Sequence, residues 1–117
     1  MVRQGRYVPR RGDAAWLNLD PQSGHEQAGR RPVLVLSPAS YNARIGLALV
    51  CPVTRQAKGY PFEVALPEGS SISGVVLADQ VKSMDWRARD AALIGPVPDD
   101  VVGAVLDRLA PLLSIEP

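Results

Sequence analysis

Between Asp13 and Lys82 no apolar run outlasts nine residues before a Gly, a Pro or a polar turn residue breaks it, and only after Val101 does the spacing lengthen to a helical period. Short, punctuated runs of this kind suit a small all-β barrel, whereas a βαβ fold needs helical segments between its strands. Residues 13–20 alternate, with Ala15, Leu17 and Leu19 on one face and Ala14, Trp16 and Asn18 on the other, as a half-buried strand does. Residues 32–36 and 47–53 are nearly continuous in apolar character, which predicts central strands covered on both faces. Between them, the tract Ser37-Pro38-Ala39-Ser40-Tyr41-Asn42 predicts one short helical turn, with Ser37 as its cap and Pro38 at the first helical position. Residues 62–66 and 74–82 supply further strands on either side of a turn-rich stretch. Asp79 shares the alternation of Val75, Leu77 and Val81, and so reads as a buried carboxylate that accepts backbone hydrogen bonds.

At the C-terminus Val101, Val102, Val105, Leu106, Leu109, Leu112 and Leu113 recur at helical spacing. Asp99 and Asp100 sit where carboxylates favour a helix N-terminus, and Pro111 should kink or end the helix within its last turns. At 117 residues the expected organisation is one domain, 1–117, with a modest core. The longest apolar stretch, residues 45–53, contains Gly46 and Pro52 and is too short to span a membrane as a helix. No apolar signal core follows the charged first residues, so the expected location is cytoplasmic. The single cysteine, Cys51, lies in an apolar run and reads as a buried, inert thiol.

Chemistry concentrates in Ser23-Gly24-His25-Glu26-Gln27-Ala28-Gly29-Arg30-Arg31-Pro32, a polar loop that runs straight into an apolar strand. Its two flanking glycines free the backbone to approach a ligand. The double arginine suits a phosphate, although a solvated sheet edge would look the same. Nine Lys/Arg against three acidic residues in positions 1–58 give that half a formal charge of +6, while the remainder carries −5. Eleven of the thirteen basic residues are Arg, the type that forks onto phosphates and stacks on bases, which favours a nucleic-acid partner. One His and one Cys cannot build a closed metal shell, so neither metal nor cofactor is expected, and no nucleophile-elbow motif accompanies His25. What remains is a metal-free polar constellation of Glu26, Arg31, Thr54 and Lys58.

These residues fall within a set of ordered segments spanning almost the whole chain. The set comprises Arg6-Tyr7-Val8-Pro9, Gly12-Asp13, Asp20-Pro21, Gly24 to Gly29 with Arg31-Pro32, Leu36-Ser37-Pro38, Tyr41-Asn42, Lys58 to Val64, Leu77 to Ser83 and Trp86-Arg87-Ala88-Arg89. In them the chain resembles the toxins of the MazF/PemK family. The resemblance implies a small SH3-like β-barrel of the CcdB/PemK type, dimeric, with short helices and a C-terminal amphipathic helix. It further implies a toxin of a type II toxin-antitoxin pair that cleaves single-stranded RNA at specific sequences without a metal, as an mRNA interferase. The partners so implied are mRNA, an acidic MazE-like antitoxin and a second copy of the chain, and no membrane.

Carried over residue by residue, the family's catalytic pair falls on Arg31 and Thr54, with Glu26 also implicated. Arginine essentially never deprotonates in a protein, so Arg31 suits charge stabilisation and Glu26 is the better proton acceptor, unless it only anchors its loop. His25 stands where relatives often carry serine, and Arg55 where a small hydroxyl residue is common. His25, Gln27, Arg30, Asn42, Arg55, Lys58, Gln80 and Lys82 are the expected RNA-binding residues, because amides and cations suit exposed base edges and phosphates. A different class of function on the same scaffold is a non-enzymatic, CcdB-like gyrase-binding toxin.

Overall fold

The computed structural model describes residues 7–19 and 29–115. Among the described residues seven strands are formed: β1 (Asp13–Asn18), β2 (Arg30–Val35), β3 (Leu47–Thr54), β4 (Glu63–Ala65), β5 (Val75–Leu77), β6 (Lys82–Asp85) and β7 (Ala92–Pro96). Helix α1 (Ala39–Ile45) links β2 to β3, and helix α2 (Asp99–Leu113) follows β7. Every strand pairing is antiparallel, in the order β4-β5-β3-β2-β1-β7, with β6 pairing β3 off that path. The sheet curves without closing into a barrel, since β4 and β7 end the path.

The curvature originates in β3, which changes partner along its length. Residues Leu47 to Val50 pair with β6, and Val53 and Thr54 pair with β5. Pro52 lies in the gap between these two ladders, where a residue without an N–H forfeits no bond on that side. A 3-10 turn, Ala78–Gln80, spans the gap between β5 and β6. The expected single strand over 74–82 is therefore two strands turning a corner. Asp79 sits on that corner and is exposed, which overturns its reading as a buried carboxylate.

Both faces of the sheet carry packed clusters, although β3 is not covered throughout as its continuous apolar run predicts: Leu49 is 41% exposed. On one face Leu34, Cys51, Val53, Val64 and Val76 pack beneath Val101, Val102, Val105 and Leu109 of α2. On the other, Ala15, Leu17, Val33, Val35, Ala48 and Val50 pack with Met84 and Trp86. Helix α2 begins after Pro98 with Asp99 and Asp100 in its first turn and runs two residues past Pro111, as the sequence anticipates. Its apolar stripe is narrower than the spacing suggests: Leu106, Leu112 and Leu113 are exposed.

Helix α1 departs from expectation at its start. Pro38, not Ser37, occupies the N-cap position, and no side chain caps the helix. Ser37 is buried instead, donating to Asn42 Oδ1 at 2.6 Å and accepting the Leu49 amide at 2.9 Å. The Asn42 amide group donates to the carbonyls of Pro9 and Ser37 at 2.8 and 3.0 Å, while its own carbonyl accepts the Trp86 indole N–H. Asn42 is fully buried, so it is a structural clamp joining four chain segments and not an RNA contact. Cys51 is also fully buried, and loss of hydration, aided by the charge of Asp79, pushes its thiol up to about 12.

Candidate active site

Strands β2 and β3 pair Val33 with Pro52, Leu34 with Cys51 and Val35 with Val50. Continued by two residues, the same register sets Arg31 opposite Thr54, on the face that also carries Val33 and Pro52. The pair stands at the start of one central strand and the end of its neighbour, where side chains leave the packed core and reach solvent.

Two hollows meet there. The first, about 510 Å³, lies between Trp16, Pro32, Ile94 and the loop residues Ser70 to Ser73, with Arg55 at its margin. The second, about 420 Å³, is bordered by Leu19, Gly29, Pro52 and Leu77. Arg31, Val53 and Thr54 belong to both, so the guanidinium and the hydroxyl stand on the wall between them.

Local bonding fixes how Thr54 presents itself. Its Oγ1 accepts the Gln56 amide at 3.1 Å, which leaves the hydroxyl proton to be donated outward. Behind it the chain returns at Gly74, where φ is +117° and an added Cβ would fall 2.2 Å from the Thr54 carbonyl oxygen. Only glycine allows this approach. Ser71 Oγ donates to the Pro96 carbonyl at 3.0 Å and anchors the loop over the first hollow.

Strand alternation separates the two arginines of the loop. Arg31 faces the hollows, whereas Arg30 turns to the other side and donates to Asn18 Oδ1 and the Asp90 carbonyl, with the Asp90 carboxylate 3.9 Å away. Arg30 thereby ties β2 to the turn before β7 while its side chain stays 38% exposed. Arg55 and Lys58 are exposed in the loop after β3; the Lys58 and Gly59 amides are held by the Glu63 carboxylate at 2.9 and 3.0 Å. Gln80 is exposed at the corner, and Lys82, paired with Val50, shares the face of Arg31 and Thr54. His25, Glu26 and Gln27 lie outside the described residues.

Sequence reasoning missed the walls of the site. Trp16, Ile94 and the serines at 70, 71 and 73 were not among its candidates, although a tryptophan on the outer face of an alternating strand and a serine-rich turn were both visible.

A sequence model of the family described as PemK-like, MazF-like toxin of type II toxin-antitoxin system matches residues 10–113. The chain belongs to this toxin family. Endoribonuclease toxin MazF of Escherichia coli (strain K12) is 49% identical over 109 residues, covering 93% of this chain and 97% of the relative. The crystal structure of MazF (Form-I) from Deinococcus radiodurans is 55% identical with a TM-score of 0.84, covering 94% of this chain and all of that one. That of MazE-MazF (Form-II) from the same organism is 50% identical, also at 0.84, over 95% and 100% of the two chains. Membership thus rests on a match through nearly the whole fold, with Arg31, Thr54 and both hollows inside the matched span.

Proposed function

We propose that this protein is the toxin of a type II pair and acts as a sequence-specific endoribonuclease on single-stranded RNA, working from a partly open SH3-like sheet in a homodimer. The observation that carries the reading is the convergence of Arg31 and Thr54 on the wall between two solvent-open hollows, in a chain whose relatives are named endoribonucleases. A phosphodiester placed on that wall would meet a permanent cation and an outward hydroxyl donor, the groups a pentacoordinate phosphate requires.

In the reaction the substrate's own 2′-oxygen bonds to phosphorus and the P–O5′ bond breaks. Glu26 takes the 2′ proton, and Arg31 and Thr54 hydrogen-bond the developing charge. The departing O5′, hydrogen-bonded by Arg31, takes a proton from solvent. The products are a 2′,3′-cyclic phosphate and a 5′-hydroxyl. Arg55, Lys58, Gln80 and Lys82 would hold the strand on either side. A MazE-like antitoxin, like the one whose complex with MazF from Deinococcus radiodurans has been crystallised, would block the same surface.

The test is cleavage of a long single-stranded RNA by the pure protein, with end-group analysis of the fragments. Arg31→Ala and Thr54→Ala should each lower kcat/KM by about 10²- to 10³-fold, the common worth of a preorganised donor, with circular dichroism unchanged. Near wild-type turnover in either folded variant overturns the assignment.

A further inference from the structure

The hollow beneath the 67–73 loop is larger than a phosphate contact needs, and its lining is of a different kind from Arg31 and Thr54. Trp16 is 40% exposed at its wall, although its strand is otherwise buried from Asp13 to Leu17. Its cross-strand neighbour is Pro32, and Ile94 lies beside it in the same hollow, so an apolar floor supports one side of the indole. Residues Ser70, Ser71 and Ser73 border the hollow opposite this floor; the Ser70 and Ser71 hydroxyls donate to the Pro67 and Pro96 carbonyls at 2.7 and 3.0 Å, which fixes them and leaves their oxygens as acceptors. Gly95 lies directly under Ser71, with room for no Cβ, since one would come 2.7 Å from Ser71 Cβ. The loop is therefore seated, and the gap between it and Trp16 is set by the fold.

Such a slot has the chemistry of a base site: an aromatic face for stacking, small hydroxyls for base edges and a cation, Arg55, at the mouth for the adjoining phosphate. At about 510 Å³ it is within the ~300–1,000 Å³ of sites that hold small organic ligands. Resting on the endoribonuclease reading, we propose that an unstacked base next to the scissile phosphate inserts between Trp16 and the 70–73 loop, which makes Trp16 a specificity-determining residue. An acidic peptide has no comparable use for an indole face opposed by serines, and the observations favour the base.

Trp16→Leu keeps an apolar side chain of the same kind of packing and removes the π-face, whereas Trp16→Phe keeps an aromatic ring. Cut sites are first mapped on a long RNA with the wild-type protein, and a 2′-O-methyl oligonucleotide spanning one mapped site serves as the uncleavable probe. Trp16→Leu should raise KM for the matching RNA by about five- to a hundredfold, the range a single base–aromatic stack carries, with a much smaller loss in kcat. It should also relax the base preference at one nucleotide beside the cut, and Trp16→Phe should restore both. Of the two tryptophans only Trp16 is exposed, so the probe should quench indole emission in the wild type and not in Trp16→Phe. Wild-type KM and cut pattern in folded Trp16→Leu, or Leu and Phe variants equally impaired, would overturn the proposal. So would quenching by an antitoxin peptide with none by the oligonucleotide. Failure of the wild-type protein to cut any RNA would instead sink the endoribonuclease reading.

Discussion

Replacing Gly74 with alanine should damage stability and activity together, because one backbone crossing serves both. The added methyl would lie 2.2 Å from the Thr54 carbonyl oxygen and 2.9 Å from its carbonyl carbon, on a backbone at φ +117°. Neither neighbour is a flexible side chain, so β3 or the returning chain must move. Conformational strain at positive φ costs about 1–2 kcal/mol and overpacking against a fixed neighbour about 1–3 kcal/mol, roughly 2–5 kcal/mol together. A domain of this size holds a total of only about 5–15 kcal/mol. Two other glycines isolate the parts. Gly59, at φ +83° with nothing within 4 Å of an added Cβ, should lose about 1–2 kcal/mol from strain alone. Gly103, helical and equally open, should gain about 0.5–1 kcal/mol as alanine. Urea unfolding of the three variants measures the ladder, and kcat/KM on RNA should fall about 10²-fold for Gly74→Ala alone, the cost of a misplacement of about 1 Å at Thr54. Equal losses for Gly74→Ala and Gly59→Ala would refute the steric argument.

Asn42→Ala strands the carbonyls of Pro9 and Ser37 and the Ser37 hydroxyl, and should cost about 2–4 kcal/mol in urea unfolding while leaving the RNA affinity of the folded protein unchanged. Cys51 should resist a thiol reagent at pH 8 until the protein is denatured, since its folded-state value is pushed up to about 12. A raised thiol value stabilises the fold below the ordinary value near ~8.5 and loses that contribution as pH climbs toward 12, so the alkaline fall in stability should flatten in Cys51→Ala. Cleavage should persist in excess EDTA, because the proposed reaction uses the RNA's own 2′-oxygen as nucleophile and Arg31 in place of a metal cation to meet the charge; activity that returns only with a divalent ion would contradict this.

The sequence made the interior legible wherever one physical demand acted alone. Runs such as Val33 to Leu36 and Leu47 to Val53 are apolar because most of their side chains are buried, and they became the central strands, with Leu49 the exposed exception in the two runs. Asp99 and Asp100 ahead of a 3.6-residue period marked α2 correctly. Legibility failed where tertiary contacts decide between local options. Ser37 had a helix to cap and a buried amide to satisfy, and the buried amide of Asn42 won. Residues 74–82 read as one strand because their alternation is continuous, while the corner at Ala78 is imposed by the partner change of β3. Arg30 and Arg31 are indistinguishable as letters, and strand alternation gave one to Asp90 and the other to the hollows. The slot beside Trp16 was hidden for a related reason: its two walls are more than fifty residues apart in the chain and meet only through the seating of Ser71 over Gly95.

The β4–β5 hairpin meets β3 through two residue pairs, Val53 with Val76 and Thr54 with Val75, the narrowest join in the sheet. One of those four residues carries the hydroxyl assigned to catalysis. The chemistry is thus mounted on this short seam, and amide exchange across residues 63–77 becomes a direct gauge of how often the strand carrying Thr54 parts from its neighbour. A partner laid across that seam would act as a splint, slowing exchange there and shielding the hairpin from proteases, whether or not it touches Arg31.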